Sequence, residues 1–447
     1  MGRKRTQRPI PADRPFVFPP VVRELLGSET EALLKVLDGP SPISIRLNPL
    51  KPFPTVGSIV PWCANGRYLE ERPVFTLDPV LHAGAYYVQE ASSMLLEQAI
   101  KACGPLAPDT VALDLCAAPG GKSTHLAELL PKEALLVCNE PVRARQGALM
   151  ENLWKWGRPN TVITGSLPEA FAPLGAFFDL IVIDAPCSGE GMFRKDPFAR
   201  TQWNEALVEQ CATLQTEILD IAWKLLRPGG HLIYSTCTWE PRENEDHIKE
   251  LIEQGAEHLP IAVDPAWGME DSGLGLRCYP HRVKGEGLFI AALRKPGDRE
   301  QRVDHVAQYR SSEGPFTAWL KGPEQQYFSE HEDQVHALSS RWIDHVQRLG
   351  NAVRMLAPGI PVAQRKGSEW VPHAALALNG SLDRTAFPEK DLDHDAALHF
   401  LRGESLPASS AEGRVLITFH GLPLGWGSGA GNRWNNGWPS SWRIRMR

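Results

Sequence analysis

The sequence predicts an α/β protein built on a doubly wound, Rossmann-like sheet, with a mixed α+β unit before it and a small β-rich module after it. Three observations carry that prediction. From Thr110 to Leu293 short apolar runs alternate with helical patterns, the order that gives a largely parallel sheet covered by helices on both faces. The first run, Val111-Ala-Leu-Asp-Leu-Cys116, passes straight into a glycine-containing turn and a helix start. Past Gly297 the rhythm is lost, and the chain ends in turns, tryptophans and arginines.

With 447 residues the chain exceeds one ordinary domain. Four units are expected: 1–104, 105–298, 299–385 and 386–447. In the first, a helix is predicted over Val21–Leu37 and a strand over Ile43–Leu47. The aromatic stretch Leu77–Val88 then leads to a helix lasting to Lys101, with Ser92 and Ser93 as solvated positions on it. The core has strands at Val111–Cys116, Leu135–Glu140, Thr161–Thr164, Asp179–Asp184 and His231–Cys237. Its helices are Lys122–Leu130, Val142–Trp156 and about Glu205–Leu226. Leu288–Leu293 is expected to close the sheet at its edge. Arg299–His345 reads as a linker with a small helical unit, and Gly413–Phe419 as the one clear strand of the last module.

Composition narrows the classes. No apolar stretch approaches bilayer length, and the basic start Met1–Arg8 has no apolar continuation of the secretory type. A cytoplasmic monomer with reduced thiols is expected. The eight cysteines contain no Cys-x-x-Cys pair, and neither they nor the histidines supply metal-ligand spacing, so no metal is expected. The net charge of −6 argues against indiscriminate nucleic-acid binding but leaves room for a local basic groove.

Chemistry concentrates where strands end. Asp179-Leu-Ile-Val-Ile-Asp184 is a run buried on both faces that stops at Ala-Pro-Cys187-Ser-Gly-Glu-Gly. His231-Leu-Ile-Tyr-Ser-Thr-Cys237 does the same. Ligands of such sheets bind outside the carboxyl ends of the strands. Asp114-Leu-Cys116-Ala-Ala-Pro-Gly-Gly-Lys122 is neither a Gly-x-Gly-x-x-Gly nor a Walker loop. Glu140, ending the next strand, is placed to hold ribose hydroxyls, or else to cap the following helix. A glycine turn and a ribose acid without phosphate chemistry suit S-adenosyl-L-methionine. Two cysteines then have a task. Carbon 5 of cytosine becomes nucleophilic once a thiolate adds to carbon 6. The adduct needs an acid near N3 and help in release, which Asp184 and one cysteine can give. Arg194 and Lys195 can lower a thiolate pKa or hold phosphate. Residue chemistry leaves the order of the two cysteines open.

These motifs, with Asn139-Glu140-Pro-Val-Arg-Ala-Arg145, Ile45-Arg-Leu-Asn-Pro-Leu and Ala85-Tyr-Tyr-Val-Gln-Glu-Ala-Ser-Ser-Met, resemble the Sun/Nop-type RNA (cytosine-5)-methyltransferases, and within them the RsmF-like ribosomal RNA branch. The resemblance spans nearly the whole chain. It implies a methyltransferase core, an RNA-recognition-like amino-terminal unit and a PUA-like carboxyl-terminal module. Cys237 would be the nucleophile and Cys187 would assist release. Cys116, Ala117, Ala118, Pro119, Gly120, Gly121, Lys122, Glu140, Arg145 and Asp184 would line the methyl-donor site. Ser166 stands where relatives carry an adenine-binding aspartate. The substrate would be 16S ribosomal RNA or the small ribosomal subunit. A transfer-RNA enzyme with the same chemistry and a non-catalytic ribosome-assembly factor are the alternatives. The terminal Arg433, Arg443, Arg445 and Arg447, interleaved with Trp434, Trp438 and Trp442, would grip RNA by charge and stacking, unless the tryptophans are core.

Overall fold

The computed structural model describes residues 17–196, 198–302 and 309–446. The basic stretch Met1–Arg8 and Arg447 lie outside them. Five parallel strands form the heart of the molecule: Val111–Asp114, Leu135–Asn139, Thr161–Thr164, Phe178–Asp184 and Leu226–Thr236. Their apolar residues are buried throughout, as a sheet covered on both faces requires. The chain winds outward from Val111–Asp114 in one direction and then returns to its other side through Phe178–Asp184. The reversal leaves a crevice at the carboxyl ends of those two central strands, where ligands of doubly wound sheets bind.

Antiparallel strands extend this sheet at both sides. Leu288–Arg294 pairs with Leu226–Thr236 but is not the edge, because Leu276–Cys278 and Glu270–Asp271 continue the sheet beyond it. Those outer strands are too short to be read by alternation. On the far side Met355–Ala357 pairs antiparallel with Thr161–Thr164, so the chain beyond 299 contributes to the central sheet itself. That segment is also not the helical linker expected over Arg299–His345. Gln326–His331 and Gln334–Ser339 form a hairpin in a four-stranded sheet with Ile360–Lys366 and Glu369–Pro372.

The amino-terminal unit is a four-stranded antiparallel sheet, ordered Ser58–Val60, Cys63–Leu69, Ile43–Leu47, Tyr86–Val88. The single helix predicted over Val21–Leu37 is two, Pro20–Leu26 and Thr30–Leu37, separated by a 3-10 turn at Gly27–Glu29. Ser92 is not solvated. It is fully buried, and its hydroxyl donates to the Glu286 carbonyl at 2.9 Å. No helix among the described residues is long and apolar enough to cross a membrane.

The amino-terminal unit is locked to the core through Arg46, whose side chain is fully buried. Its guanidinium donates to Gln89 at 2.7 Å and to Glu128 and Thr124 at 2.6 Å each, and lies 4.3 Å from the Trp156 ring centroid. Glu128 and Thr124 sit on or beside the helix that follows the glycine turn, Gly121–Leu129. Removing one partner of a buried pair leaves an uncompensated charge. Arg46→Met is therefore expected to lower unfolding free energy by about 3–5 kcal/mol, read from urea midpoints. Arg46→Met/Glu128→Leu should recover most of that loss.

The carboxyl-terminal module is β-rich, as expected, with four strands besides the one legible in the sequence: Glu389–Leu392, Leu406–Ala411, Arg414–Phe419, Leu422–Gly429 and Gly431–Asn436. Trp438 and Trp442 are buried, 5.2 Å apart edge to face, with the Lys155 ammonium 5.4 and 5.3 Å from their ring centroids. They fasten this module to the core helix Arg143–Trp156 and are not available to stack on bases. Trp434 is half-buried, whereas Arg433, Arg443 and Arg445 are exposed.

Candidate active site

At the crevice lies a cavity of about 710 Å³ lined by the ends of four core strands and the turns that follow them. The Val111–Asp114 strand runs through Leu115 and Cys116 into the turn. Gly120 has φ +110°, a left-handed conformation that glycine adopts freely, and the helix Gly121–Leu129 starts at once. The free amides of that helix start therefore face the end of the sheet. Cys116, Ala118, Pro119 and Lys122 line the cavity; Ala117, Gly120 and Gly121 shape the turn behind it, with Gly121 packed on Tyr87. Beneath the turn, buried Asp114 accepts a 2.6 Å bond from Ser123 on Oδ2. Burial pushes its pKa up to about 7.

Glu140 is buried and lines the cavity. Oε1 accepts the Val142 N–H at 2.8 Å and Oε2 lies 3.4 Å from Arg145 Nη1. It thus orders the chain's entry to the next helix from a cavity wall. Arg145 also donates to the Ala118 carbonyl, tying the turns after the first two core strands together. Ser166 is not in the wall. Its hydroxyl accepts the Arg354 N–H at 2.8 Å, and Leu167, Pro168 and Glu169 line the cavity instead. A serine hydroxyl at that position is thus already engaged.

The two cysteine turns meet across the cavity. Cys187 Sγ and Cys237 Sγ are 3.1 Å apart, and the Cys237 N–H donates to Cys187 Sγ at 3.3 Å. The hydrogen bond with the Cys237 sulfur, reinforced by burial, pushes the Cys187 thiol well above its ordinary pKa. Lys122 Nζ stands 2.7 Å from Asp184 Oδ1, which also accepts from Ser235 at 3.2 Å. Burial opposes the lysine charge, but Asp184 outweighs it and raises the Lys122 pKa.

Two buried acids that sequence reasoning missed hold these turns. Glu243 accepts from the Ser188 amide (3.0 Å) and hydroxyl and from Gln215 (2.9 Å). Glu190 accepts from the Thr238 hydroxyl and the Trp239 amide at 2.6 Å each, and from the Trp203 indole at 3.0 Å. Ser188 and Thr238, the residues after the two cysteines, bond each other at 3.0 Å. Glu190 lay within the quoted motif. Glu243, in Pro-Arg-Glu-Asn-Glu, had only the signal of a solvated charge run. Of the two flanking bases, Arg194 donates to the Pro40 carbonyl, whereas Lys195 is an exposed part of the cavity wall. The one metal-ligand type cluster among the described residues, Cys63, Glu97 and His125, lies outside this cavity. There Glu97 accepts from Ala64 N–H and Lys101.

Comparison with known proteins assigns this architecture. Residues 104–294 match the family model described as 16S rRNA methyltransferase RsmB/F. Residues 15–91 match the N-terminal domain of 16S rRNA methyltransferase RsmF, and 387–444 the methyltransferase RsmF PUA domain. The ribosomal RNA small subunit methyltransferase F of Erwinia tasmaniensis is 31% identical, with 94% of this chain and 96% of that protein covered. The chain belongs to the RsmF family of 16S rRNA methyltransferases. The RsmF protein of Salmonella agona is 32% identical, with 95% of each chain covered. A methyltransferase homologue of known structure from Pyrococcus horikoshii shares the fold with a TM-score of 0.52 and 28% identity, covering 60% of this chain and 91% of its own. The NSun6 structure from the same organism, solved with SFG, has a TM-score of 0.53 at 22% identity, covering 63% of this chain and all of its own. The RsmF assignment accounts for a methyltransferase core flanked by an amino-terminal domain and a PUA domain.

Proposed function

We propose that this methyltransferase uses S-adenosyl-L-methionine to methylate carbon 5 of cytosine in small-subunit ribosomal RNA, with Cys237 as nucleophile and Cys187 as the release group. The observation that carries this reading is the pair of sulfurs 3.1 Å apart in the wall of the same cavity as the glycine turn and Glu140. The donor set suits the cofactor: a glycine turn with free amides for its amino-acid end, and the Glu140 carboxylate at the sheet edge for its ribose. Bound there, S-adenosylmethionine supplies an electrophilic methyl group. Names of relatives that specify ribosomal RNA of the small subunit support the substrate.

The chain's own groups divide the work. A nucleophilic cysteine must be a thiolate; the resemblance to the Sun/Nop-type enzymes gives that role to Cys237 and release to Cys187, whose thiol is pushed up by the Cys237 sulfur and by burial. Lys122 fixes Asp184 at the reacting ring, and the Glu190 and Glu243 clamps hold both cysteine turns in register. The target base must leave its stack to reach these groups. The exposed Arg433, Arg443 and Arg445 and the amino-terminal sheet would hold the surrounding RNA, in the cytoplasm where ribosomes are assembled.

Bisulfite sequencing of RNA from cells with and without the gene tests the reading. A 5-methylcytosine lost from 16S ribosomal RNA is expected. Loss confined to transfer RNA would replace the substrate, and no loss anywhere would remove the cytosine chemistry.

A further inference from the structure

Three side chains far apart in the sequence meet at the helix that follows the glycine turn. Cys63 opens the strand Cys63–Leu69 of the amino-terminal unit, Glu97 sits in the first turn of the helix Leu96–Ala102, and His125 lies midway along Gly121–Leu129. Cys63 Sγ is 3.8 Å from His125 Nε2, Glu97 Oε2 is 4.0 Å from the same nitrogen, and the three donor atoms all lie within 4.8 Å of one another. Cys63 and His125 are fully buried and Glu97 nearly so. None of them lines the cavity of the two reacting cysteines.

The imidazole is short of partners by itself. His125 Nδ1 has no hydrogen bond, and Nε2 stands too far from the carboxylate for an ordinary one. A buried polar ring left in that state calls for an explanation. Burial, seconded by the Arg46 charge, holds the ring neutral, the form that binds metals. The Cys63 thiol gives its hydrogen bond to Glu97. Glu97 is fixed from outside the cluster, Oε1 accepting from Lys101 at 2.8 Å and Oε2 from the Ala64 N–H at 3.1 Å. A carboxylate oxygen has room for a second bond, so Oε2 is held in place and still able to act as a ligand. The nearby Arg46 charge is balanced by Glu128 at 2.6 Å. A divalent ion shared by one thiolate and one carboxylate would therefore leave this interior neutral, the condition for burying charge.

We propose that Cys63, Glu97 and His125 bind one zinc ion, which staples the amino-terminal unit to the core at the helix following the glycine turn. The proposal is independent of the cytosine reading. A thiolate, an imidazole and a carboxylate are zinc donors, and bonds of about 2.3 Å to sulfur and 2.0–2.2 Å to nitrogen and oxygen space tetrahedral donors about 3.3–3.6 Å apart. The separations of 3.8 and 4.0 Å need close by only roughly half an ångström to reach that spacing. On binding, the ion takes the place of the Cys63 proton: the S–H bond breaks, a sulfur–zinc bond forms, and the proton passes to solvent. Three protein donors leave one tetrahedral position for a water. The role is structural, because the ion joins the same two units that Arg46 joins through Thr124 and Glu128, on either side of His125 in the same helix. Spacing rules search for ligand pairs within one segment. Here each ligand comes from a different element, so no local pattern betrays the site.

The test is the metal content of the full-length protein after incubation with zinc chloride and desalting, read by plasma mass spectrometry. About one zinc per chain is expected. Cys63→Ser, close in shape but a poor zinc ligand, should lose at least about 100-fold in affinity, the upper end of what an outer-shell partner is worth. Zinc should also raise the thermal midpoint of the native protein and leave that of Cys63→Ser unmoved. The sulfurs of Cys187 and Cys237 are a competing place for the ion, so Cys187→Ala/Cys237→Ala is measured beside it and should keep the metal. With cobalt in place of zinc, a thiolate-to-metal absorption band in the near ultraviolet should persist in Cys187→Ala/Cys237→Ala and be absent from Cys63→Ser. A native protein that retains no zinc overturns the proposal. So does zinc that is held equally by Cys63→Ser, or that is lost only with Cys187 and Cys237. If Cys63→Ser does not fold, as judged by circular dichroism, His125→Gln replaces it with the same expectations, and native zinc affinity there overturns the proposal too.

Discussion

Replacing Cys237 by alanine is expected to lower methylation by at least about 10⁴-fold, the scale of removing a nucleophile from a covalent mechanism, while S-adenosylmethionine still binds. The turn and acid expected to hold the donor belong to other strand ends, Cys116–Lys122 and Glu140, and their hydrogen bonds do not pass through the Cys237 side chain. Donor affinity by calorimetry and methyl incorporation into 16S RNA separate the two effects. The backbone N–H of residue 237 remains in place to meet Cys187, and the Glu190 and Glu243 clamps hold Thr238 and Ser188 as before. A fall in donor binding to match the loss of activity would mean that the substitution disturbs the fold. Activity within tenfold of the native protein would rule out Cys237 as the nucleophile.

The residues of this site differ in how far their sequence surroundings betray them. Cys187 and Cys237 each end an apolar run, so the pattern alone puts both at the carboxyl edge of the sheet. That they face each other follows from the parallel pairing of Phe178–Asp184 with Leu226–Thr236, which sets Asp184 beside Ser235. Glu243 had no such signal. Charged residues between helices and turns are usually solvated, and only tertiary packing buries this one. Arg46 was hidden for the same reason, as an arginine in a strand whose partners come from Gln89 and the Gly121–Leu129 helix. The hairpin Gln326–Ser339 escaped because Gln, Ser, Glu and His interrupt its apolar positions, so neither a period of two nor 3.6 stands out. The terminal tryptophans were ambiguous by composition. Trp438 and Trp442 proved to be core because Lys155 and Trp154 of a neighbouring unit cover them, a contact that no local pattern could reveal.

Cys187→Ala is expected to have the opposite signature: methyl transfer to the base continues, but the product stays joined to the protein. In the proposed mechanism, addition to carbon 6 requires a thiolate at Cys237, and nothing in that step needs the Cys187 proton. Release does. Once carbon 5 has been methylated and has lost its proton, the Cys237 sulfur must leave as a thiolate, and a thiol 3.1 Å away can stabilise the departing charge by hydrogen bonding or by giving up its proton. Cys187 is suited to this because its raised pKa keeps it protonated until a stronger base appears beside it. Alanine removes that donor, so the adduct should accumulate as a slowly migrating band on a denaturing gel, dependent on RNA and absent from Cys187→Ala/Cys237→Ala. Turnover should fall by at least about 10²-fold, while a single round of methyl transfer proceeds near the native rate. Reversal of the two phenotypes, with the band in Cys237→Ala and inactivity in Cys187→Ala, would exchange the roles of the sulfurs. Absence of any band in Cys187→Ala, with turnover near native, would leave release to water and remove Cys187 from the reaction.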